Sequence, residues 1–295
     1  MSVLSFTSDS VAKSANDSRR HTELSGMALT RNVVVTTLFI FLPLLSTSAA
    51  QSVFPFASEL GDLFAIDRIV RHRKIPRDDD LYCESWKFTV ETNDAPSWTL
   101  VPERCKVFVQ DYMTGDRFLS DSDAVANASL AFARTVSVAG DGKDAWVFDI
   151  DETLLSNVPY YEAHGFGADI FDESSFDEWV DLAEAPAISA SLRLYKELRE
   201  QGFTIFLLTG RSEYQRESTE KNLQYAGYSN WERLILRGPS DQGTLATVYK
   251  SQKRKELEDE GYWIHGCSGD QWSDLMGFAV AERSFKLPNP MYYIA

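Results

Sequence analysis

The chain has 295 residues, 44% of them hydrophobic and 13% aromatic, and its 29 Lys plus Arg against 44 Asp plus Glu give a formal net charge of -15. This length fits one large or two modest domains, and the apolar content excludes global disorder. So acidic a chain argues against nucleic acid as a partner, because phosphate backbones are bound by clusters of Lys and Arg. A small phosphorylated molecule stays open, since local groups decide that binding.

Residues 1–26 show no useful periodicity, and Met27 offers an alternative start. Residues 33–45, VVVTTLFIFLPLL, form an apolar block preceded by Arg31 and followed by STSAAQS. With small Ser48 and Ala50 ahead of the cut, the pattern predicts a signal peptide over about 27–50, cleaved after Ala50. The block falls short of the roughly 20 residues a bilayer span needs, so no stable membrane insertion is expected once it is removed. A buried helix or a membrane anchor is the competing reading. Residues 51–80 read as an irregular N-terminal segment and 81–295 as the folded domain.

Export changes how the three cysteines are read. Cys83 and Cys105 either close a small loop in an oxidising compartment or remain two buried thiols; the disulfide, worth about 3 kcal/mol by chain entropy, is the expectation. With Cys267 they lack the partners at ligand spacing that a zinc site needs. Asn127-Ala128-Ser129 is a sequon, which makes Asn127 a glycosylation candidate.

Residues 81–112 hold short aromatic and β-branched stretches of ambiguous type. From 102 to 138 the spacing favours helices, with a start at Asp121-Ser122-Asp123. A sharper pattern follows. Strands are predicted at 145–149, 203–210, 231–238 and 262–270, alternating with helices at 190–201, 212–227 and 247–261. The alternation predicts an α/β fold, a mostly parallel sheet with helices on both faces. Segment 156–189 interrupts it and is expected to form a small cap insert. Within it Tyr160, Tyr161, His164, Phe166 and Trp179 are expected at the site entrance. His265 lies inside a predicted strand and is expected to be structural.

Ligands bind at the carboxyl ends of parallel strands. There the predicted strands deliver Asp149 and Asp151, then Thr209 with Gly210, then Asp270, with Asp274 one helical turn further on. Lys250 comes from near a helix start. Alone, each has an ordinary alternative: a strand-end turn, a loop exit, or, for Lys250 beside Lys253, Arg254 and Lys255, a solvated helix face. Together they suggest phosphoryl transfer. A hard Mg²⁺ held by Asp149, Asp151, Asp270 and Asp274 would offset their mutual repulsion. Asp149 would attack phosphorus and Asp151 would serve as acid and base. Thr209, Gly210 and Lys250 would bind the phosphoryl group.

At DIDET (149–153), LLTGR (207–211), YKSQKR (249–254) and GDQWSDL (269–275) the chain resembles the haloacid-dehalogenase (HAD) superfamily, in its plant acid phosphatase and vegetative storage protein branch. The resemblance runs over about 75–295 and includes CESW, VPERC, YYEAHGFG and FKLPNP. It implies a Rossmann-like HAD core with a small cap, Mg²⁺ dependence and hydrolysis of small phosphate monoesters at acidic pH. It further implies a secreted or vacuolar setting, while the oligomeric state, a homodimer or otherwise, stays open. The rival implication is a nitrogen-storage protein with weak or vestigial activity. Some relatives carry serine in place of the nucleophilic aspartate, whereas Asp149 is present here. Cys267, where asparagine is commoner, is a smaller departure.

Overall fold

The computed structural model describes residues 79–95 and 98–295, all within one compact unit spanning 75–295. The expected leader and signal peptide, and nearly all of the irregular segment, lie outside the described residues. The chain forms α1 (Asp79–Glu91), a 3₁₀ turn (Glu103–Cys105), α2 (Lys106–Thr114) and α3 (Asp116–Ala133) ahead of β1 (Asp144–Phe148). Next come α4 (Val158–Ala163), α5 (Glu173–Leu182), α6 (Ser189–Glu200), β2 (Thr204–Ser212), α7 (Arg216–Tyr225) and β3 (Arg233–Arg237). Then follow α8 (Ala246–Asp259), β4 (Trp263–Gly269), α9 (Trp272–Leu275) and β5 (Arg283–Lys286). The five strands are all parallel, in the order β3-β2-β1-β4-β5.

The continuous apolar reading of the central strands has a direct cause: both faces of the sheet are covered. Trp146 and Phe148 of β1, with Ile205 and Leu207 of β2, pack against Ala126 and Leu130 of α3 and Leu194 and Leu198 of α6. The alternate residues Ala145, Val147, Phe206 and Leu208 pack against Tyr249 and Leu257 of α8 on the other face. In α6, burial of Ala190, Ser191, Leu194, Tyr195 and Leu198 follows the three-to-four spacing of one helix face. Every predicted strand and crossover helix is present, with ends shifted by a few residues.

A third cluster joins the N-terminal helices to the segment after β1. Cys83, Cys105, Val109, Tyr112 and Phe118 pack with Tyr160, Tyr161, Phe166 and Met291. Cys83 and Cys105 are joined in a disulfide, their Cα atoms 5.4 Å apart. This stretch was ambiguous in sequence because its apolar side chains face a local cluster rather than a repeated sheet surface. The structure corrects two expectations nearby. The helix start at Asp121-Ser122-Asp123 does not exist: α3 runs unbroken from Asp116, after Gly115. Residues 283–286, outside the predicted strands, form the edge strand β5, and its buried Phe285 stacks on Trp146 at 5.3 Å between ring centroids. Asn127 is exposed on α3, while Ser129 of its sequon is buried and donates its hydroxyl to the Val125 carbonyl. Among the described residues no helix is long and apolar enough to cross a membrane.

Gly266 in β4 lies under the Trp146 indole, and a Cβ there would sit 2.4 Å from three ring atoms. Gly266→Ala therefore overpacks the centre of the sheet and is expected to destabilise the fold by about 1–3 kcal/mol, read by denaturant unfolding. His265 of β4 sits between Asp144 (Nε2 to Oδ1, 2.8 Å) and Glu282 (Nδ1 to Oε2, 2.9 Å). Burial pushes the Asp144 carboxyl up, but the Ala139 N–H (2.7 Å) and His265 outweigh it and hold it below its ordinary value. A lowered carboxylate supplies stability above its unfolded pKa of about 4, lost as pH falls through the folded value. Asp144→Asn should flatten that acid limb in melting temperatures recorded against pH.

Candidate active site

The sheet's carboxyl edge opens into a cavity of about 480 Å³. At the end of β1 the Asp149 N–H donates to the Ser268 carbonyl at 2.9 Å, fixing the first carboxylate beside β4. The chain then turns so tightly that the N–H groups of Thr153, Leu154 and Leu155 all point to the Ile150 carbonyl. Glu152 at this turn has φ +52°, the left-handed region that costs an ordinary residue about 1–2 kcal/mol. Its buried side chain offsets that cost: one oxygen accepts the Asn157 N–H (2.5 Å) and the other the Tyr292 hydroxyl (2.5 Å). Burial, with the neighbouring Asp151 charge second, pushes the Glu152 carboxyl up to about 7.

Asp149, Asp270 and Asp274 are all buried and each places an oxygen within 4.8 Å of the others. Asp270 is held by Gln271 Nε2 and Asn289 Nδ2, both at 2.7 Å on one oxygen. Asp274 accepts the Gln271 backbone N–H at 2.8 Å. Gly269 is required between them, because a Cβ there would fall 2.3 Å from the Asp274 side chain. Lys250 of α8 donates to Asp149 at 2.5 Å and also to Asp274. Burial alone would lower the Lys250 ammonium, yet the two carboxylates hold it above its ordinary value. One ammonium among three carboxylates leaves excess negative charge. Burial first and Asp274 second raise both Asp149 and Asp270, the latter to about 7. Carboxylate oxygens crowded out of water fit a hard divalent cation, which would relieve that repulsion.

Asp151, also expected to hold the cation, has its side chain apart from the three clustered aspartates. Its side chain is taken by the Arg211 guanidinium, with Nε at 3.2 and 3.0 Å from its two oxygens and Nη2 at 2.6 Å from Oδ1. Asn157 Nδ2 donates to the same Oδ1 at 2.9 Å. Burial pushes the Asp151 carboxyl up, but Arg211 and Asn157 outweigh it and hold it below its ordinary value. Two planar donor groups satisfy this carboxylate, so it faces an arginine rather than the aspartate trio.

Thr209 is fully buried, its Oγ1 accepts the Arg211 N–H at 3.1 Å, and Gly210 beside it is exposed at the cavity. Tyr160, Tyr161 and His164 line the cavity as expected; Phe166 and Trp179 do not. Phe166 is buried in the third cluster, and the Trp179 indole N–H donates to Asn157 Oδ1 at 2.8 Å. Arg254, in the basic run for which a solvated helix face is the alternative reading, is fully buried. Its Nε donates to the Ala279 carbonyl at 2.7 Å, Nη2 to the Met276 carbonyl at 2.5 Å and Nη1 to the Asp274 carbonyl, so it braces the loop after α9. Sequence reasoning missed Arg211, Asn157, Gln271, Asn289 and Tyr292. Arg211, Gln271 and Asn289 lay within LLTGR, GDQWSDL and FKLPNP, which were read for other residues or for resemblance alone. Asn157 and Tyr292 carried no periodic or spacing signal.

Comparison with known proteins agrees with this geometry. Residues 72–295 match the family model described as HAD superfamily, subfamily IIIB (Acid phosphatase). The chain is 45% identical over 257 residues to Acid phosphatase 1 of Solanum lycopersicum, covering 87% of this chain and 99% of that one. It is 43% identical over 220 residues to the Stem 28 kDa glycoprotein of Glycine max, covering 74% and 86%. It is 37% identical over 214 residues to Vegetative storage protein 2 of Arabidopsis thaliana, covering 72% and 80%. The solved structure of the Class C acid phosphatase from Bacillus anthracis superposes with a TM-score of 0.54 at 25% identity, covering 64% of this chain and 85% of that one. With the carboxylates and lysine gathered at the edge of its parallel sheet, the chain belongs to the HAD superfamily, subfamily IIIB, the acid phosphatases.

Proposed function

We propose that the chain hydrolyses small phosphate monoesters through a covalent aspartyl-phosphate on Asp149. The observation that carries this is the convergence of Asp149, Asp270, Asp274 and Lys250 on one cavity at the carboxyl edge of the sheet. An Asp149 oxygen attacks phosphorus as the bond from phosphorus to the leaving oxygen breaks. Asp151 gives that oxygen a proton, leaving a free alcohol. As a carboxylate, Asp151 then takes a proton from water whose oxygen attacks the same phosphorus. The bond to Asp149 breaks, inorganic phosphate leaves, and both carboxyls return to their starting forms. Arg211 favours the ionised Asp151 that activates water; the acid form that serves the leaving group gains population as pH falls. Lys250 steadies negative charge on Asp149 and on the transferring group, with Thr209 and Gly210 beside it on the phosphoryl oxygens. Mg²⁺ is the cation we propose, held by Asp149, Asp270 and Asp274; when bound it supplies charge neutralisation.

The exposed side chains at the cavity mouth, Ile170, Phe171 and Tyr214, with Tyr160 and Tyr161 deeper, are proposed to meet the leaving group. Residues 156–189 are accordingly read as a cap. The Cys83–Cys105 disulfide supports an oxidising, secreted or vacuolar setting. Since the Ser129 hydroxyl is buried in α3, a glycan on Asn127 would have to be added before that helix folds.

The second reading is storage, favoured by relatives named as vegetative storage proteins. Phosphate release from an aryl phosphate, measured from acidic to neutral pH, separates the two. The phosphatase reading expects turnover that rises with Mg²⁺, disappears with a chelator and falls about 10⁴-fold or more in Asp149→Asn. Negligible wild-type turnover at every pH would leave storage as the function, and unchanged turnover in Asp149→Asn would remove that residue from the chemistry.

A further inference from the structure

Asn157 is wholly buried, and its side chain bridges the turn after β1 and helix α5. Nδ2 donates to Asp151 Oδ1 (2.9 Å) and to Glu152 Oε2 (3.1 Å), while Oδ1 accepts the indole N–H of Trp179 (2.8 Å). Its backbone N–H returns to Glu152, and its carbonyl accepts the Tyr161 N–H at the start of α4 (3.0 Å). A single residue thus joins the turn after β1 to both helices that follow it, to α5 through its side chain and to α4 through its backbone.

The three contacts on Asp151 Oδ1 differ in origin. The two from Arg211 come from β2, which is anchored in the sheet. The one from Asn157 depends on where α5 sits, because Trp179 is an α5 residue and fixes the amide from behind. Trp179 packs against both the main core and the third cluster, so it lies on the seam between them. On the same helix Phe176 and Asp177 line the cavity, and Asp177 accepts the Tyr214 hydroxyl (2.9 Å) and Gln215 Nε2 (2.8 Å) from the segment after β2. A molecule entering the cavity therefore meets the helix that carries Trp179.

We propose that Asn157 is a positioning residue that ties the orientation of the Asp151 carboxylate to the seat of α5, with the Trp179 indole N–H as the link. This rests on the reading of Asp151 as acid and base. Arg211 and Asn157 pin Oδ1 from opposite origins, leaving Oδ2, which has one contact from Arg211, as the oxygen that moves protons. Losing the indole N–H leaves the amide anchored only on its Nδ2 side, by Asp151 and Glu152, and loosens the hold that Asn157 adds to that of Arg211 on Asp151. The binding contacts of the phosphoryl group stay in place. The loss therefore falls on the chemical step.

The test is a double-mutant cycle on the full chain, read as kcat and KM for one aryl phosphate with melting temperature followed in parallel. Trp179→Phe keeps an aromatic ring and deletes the N–H. It should lower kcat about tenfold with KM changed less than twofold, the scale expected when a reacting group is displaced by a fraction of an ångström. Asn157→Ala should lower kcat at least as much, and adding Trp179→Phe to it should cost nothing further. Should Asn157→Ala fail to fold, Asn157→Ser takes its place in the cycle. A wild-type kcat in Trp179→Phe overturns the proposal, as does a tenfold loss that persists undiminished in the Asn157 background, which is the additive behaviour of a packing residue. Asp151→Asn separates this from the reading beneath it. If that variant keeps wild-type turnover the acid and base role fails, whereas an inactive Asp151→Asn beside an unaffected Trp179→Phe sinks only the coupling.

Discussion

Like-charged carboxylates held out of water repel one another, and an isolated buried charge is among the costliest features a fold can carry. Here Asp149, Asp270 and Asp274 meet at the end of a parallel sheet with a single ammonium, Lys250, among them. That arrangement persists only if each carboxylate arrives on a rigid support and has its remaining oxygen satisfied. β1 and β4 supply the support for Asp149 and Asp270, and the short helix α9 supplies it for Asp274. One oxygen of Asp270 is taken by Gln271 and Asn289 and one of Asp274 by the Gln271 N–H, while Lys250 donates to Asp149 and to the other oxygen of Asp274.

Much of the surrounding structure can be understood as serving that centre. Arg254 spends its guanidinium on the Asp274 carbonyl within α9 and on the Met276 and Ala279 carbonyls of the loop after it, which keeps the Asp274 turn from opening. The C-terminal residues bridge the site's edge. Asn289 reaches Asp270, the Ile294 N–H reaches Gln271 Oε1 (3.0 Å), and Tyr292 both reaches Glu152 and stacks on Tyr161 at 5.4 Å. The Ala295 carbonyl accepts the Ala246 N–H (3.0 Å) at the start of α8, the helix that carries Lys250. A chain segment without regular secondary structure thereby couples three separate supports.

The two aspartates of the DIDET turn end in opposite electrostatic settings despite a single residue between them. Asp149 looks into the carboxylate trio with Lys250, and Asp151 looks at Arg211 and Asn157. A tight turn with Glu152 in the left-handed region makes this divergence possible, and the buried hydrogen bonds of Glu152 hold the turn in place. Two chemically identical side chains thus stand in different surroundings, which is what the proposed division into nucleophile and proton carrier requires.

What the sequence determined by itself was the periodic part of the molecule and the residues at its breaks. Strands covered on both faces and amphipathic crossover helices leave apolar patterns that survive in one dimension, and a carboxylate at the end of such a run marks the sheet's binding edge. That pattern alone brings Asp149, Asp270, Asp274 and Lys250 to one edge of the sheet. Only the tertiary structure decided that Asp151 turns to Arg211, that Arg254 is buried, that Trp179 serves Asn157 rather than the entrance, and that β5 closes the sheet. The reason is physical: partner choice among polar groups depends on distances between segments far apart in the chain. A charged or amide side chain looks the same in sequence whether water or a buried carboxylate satisfies it.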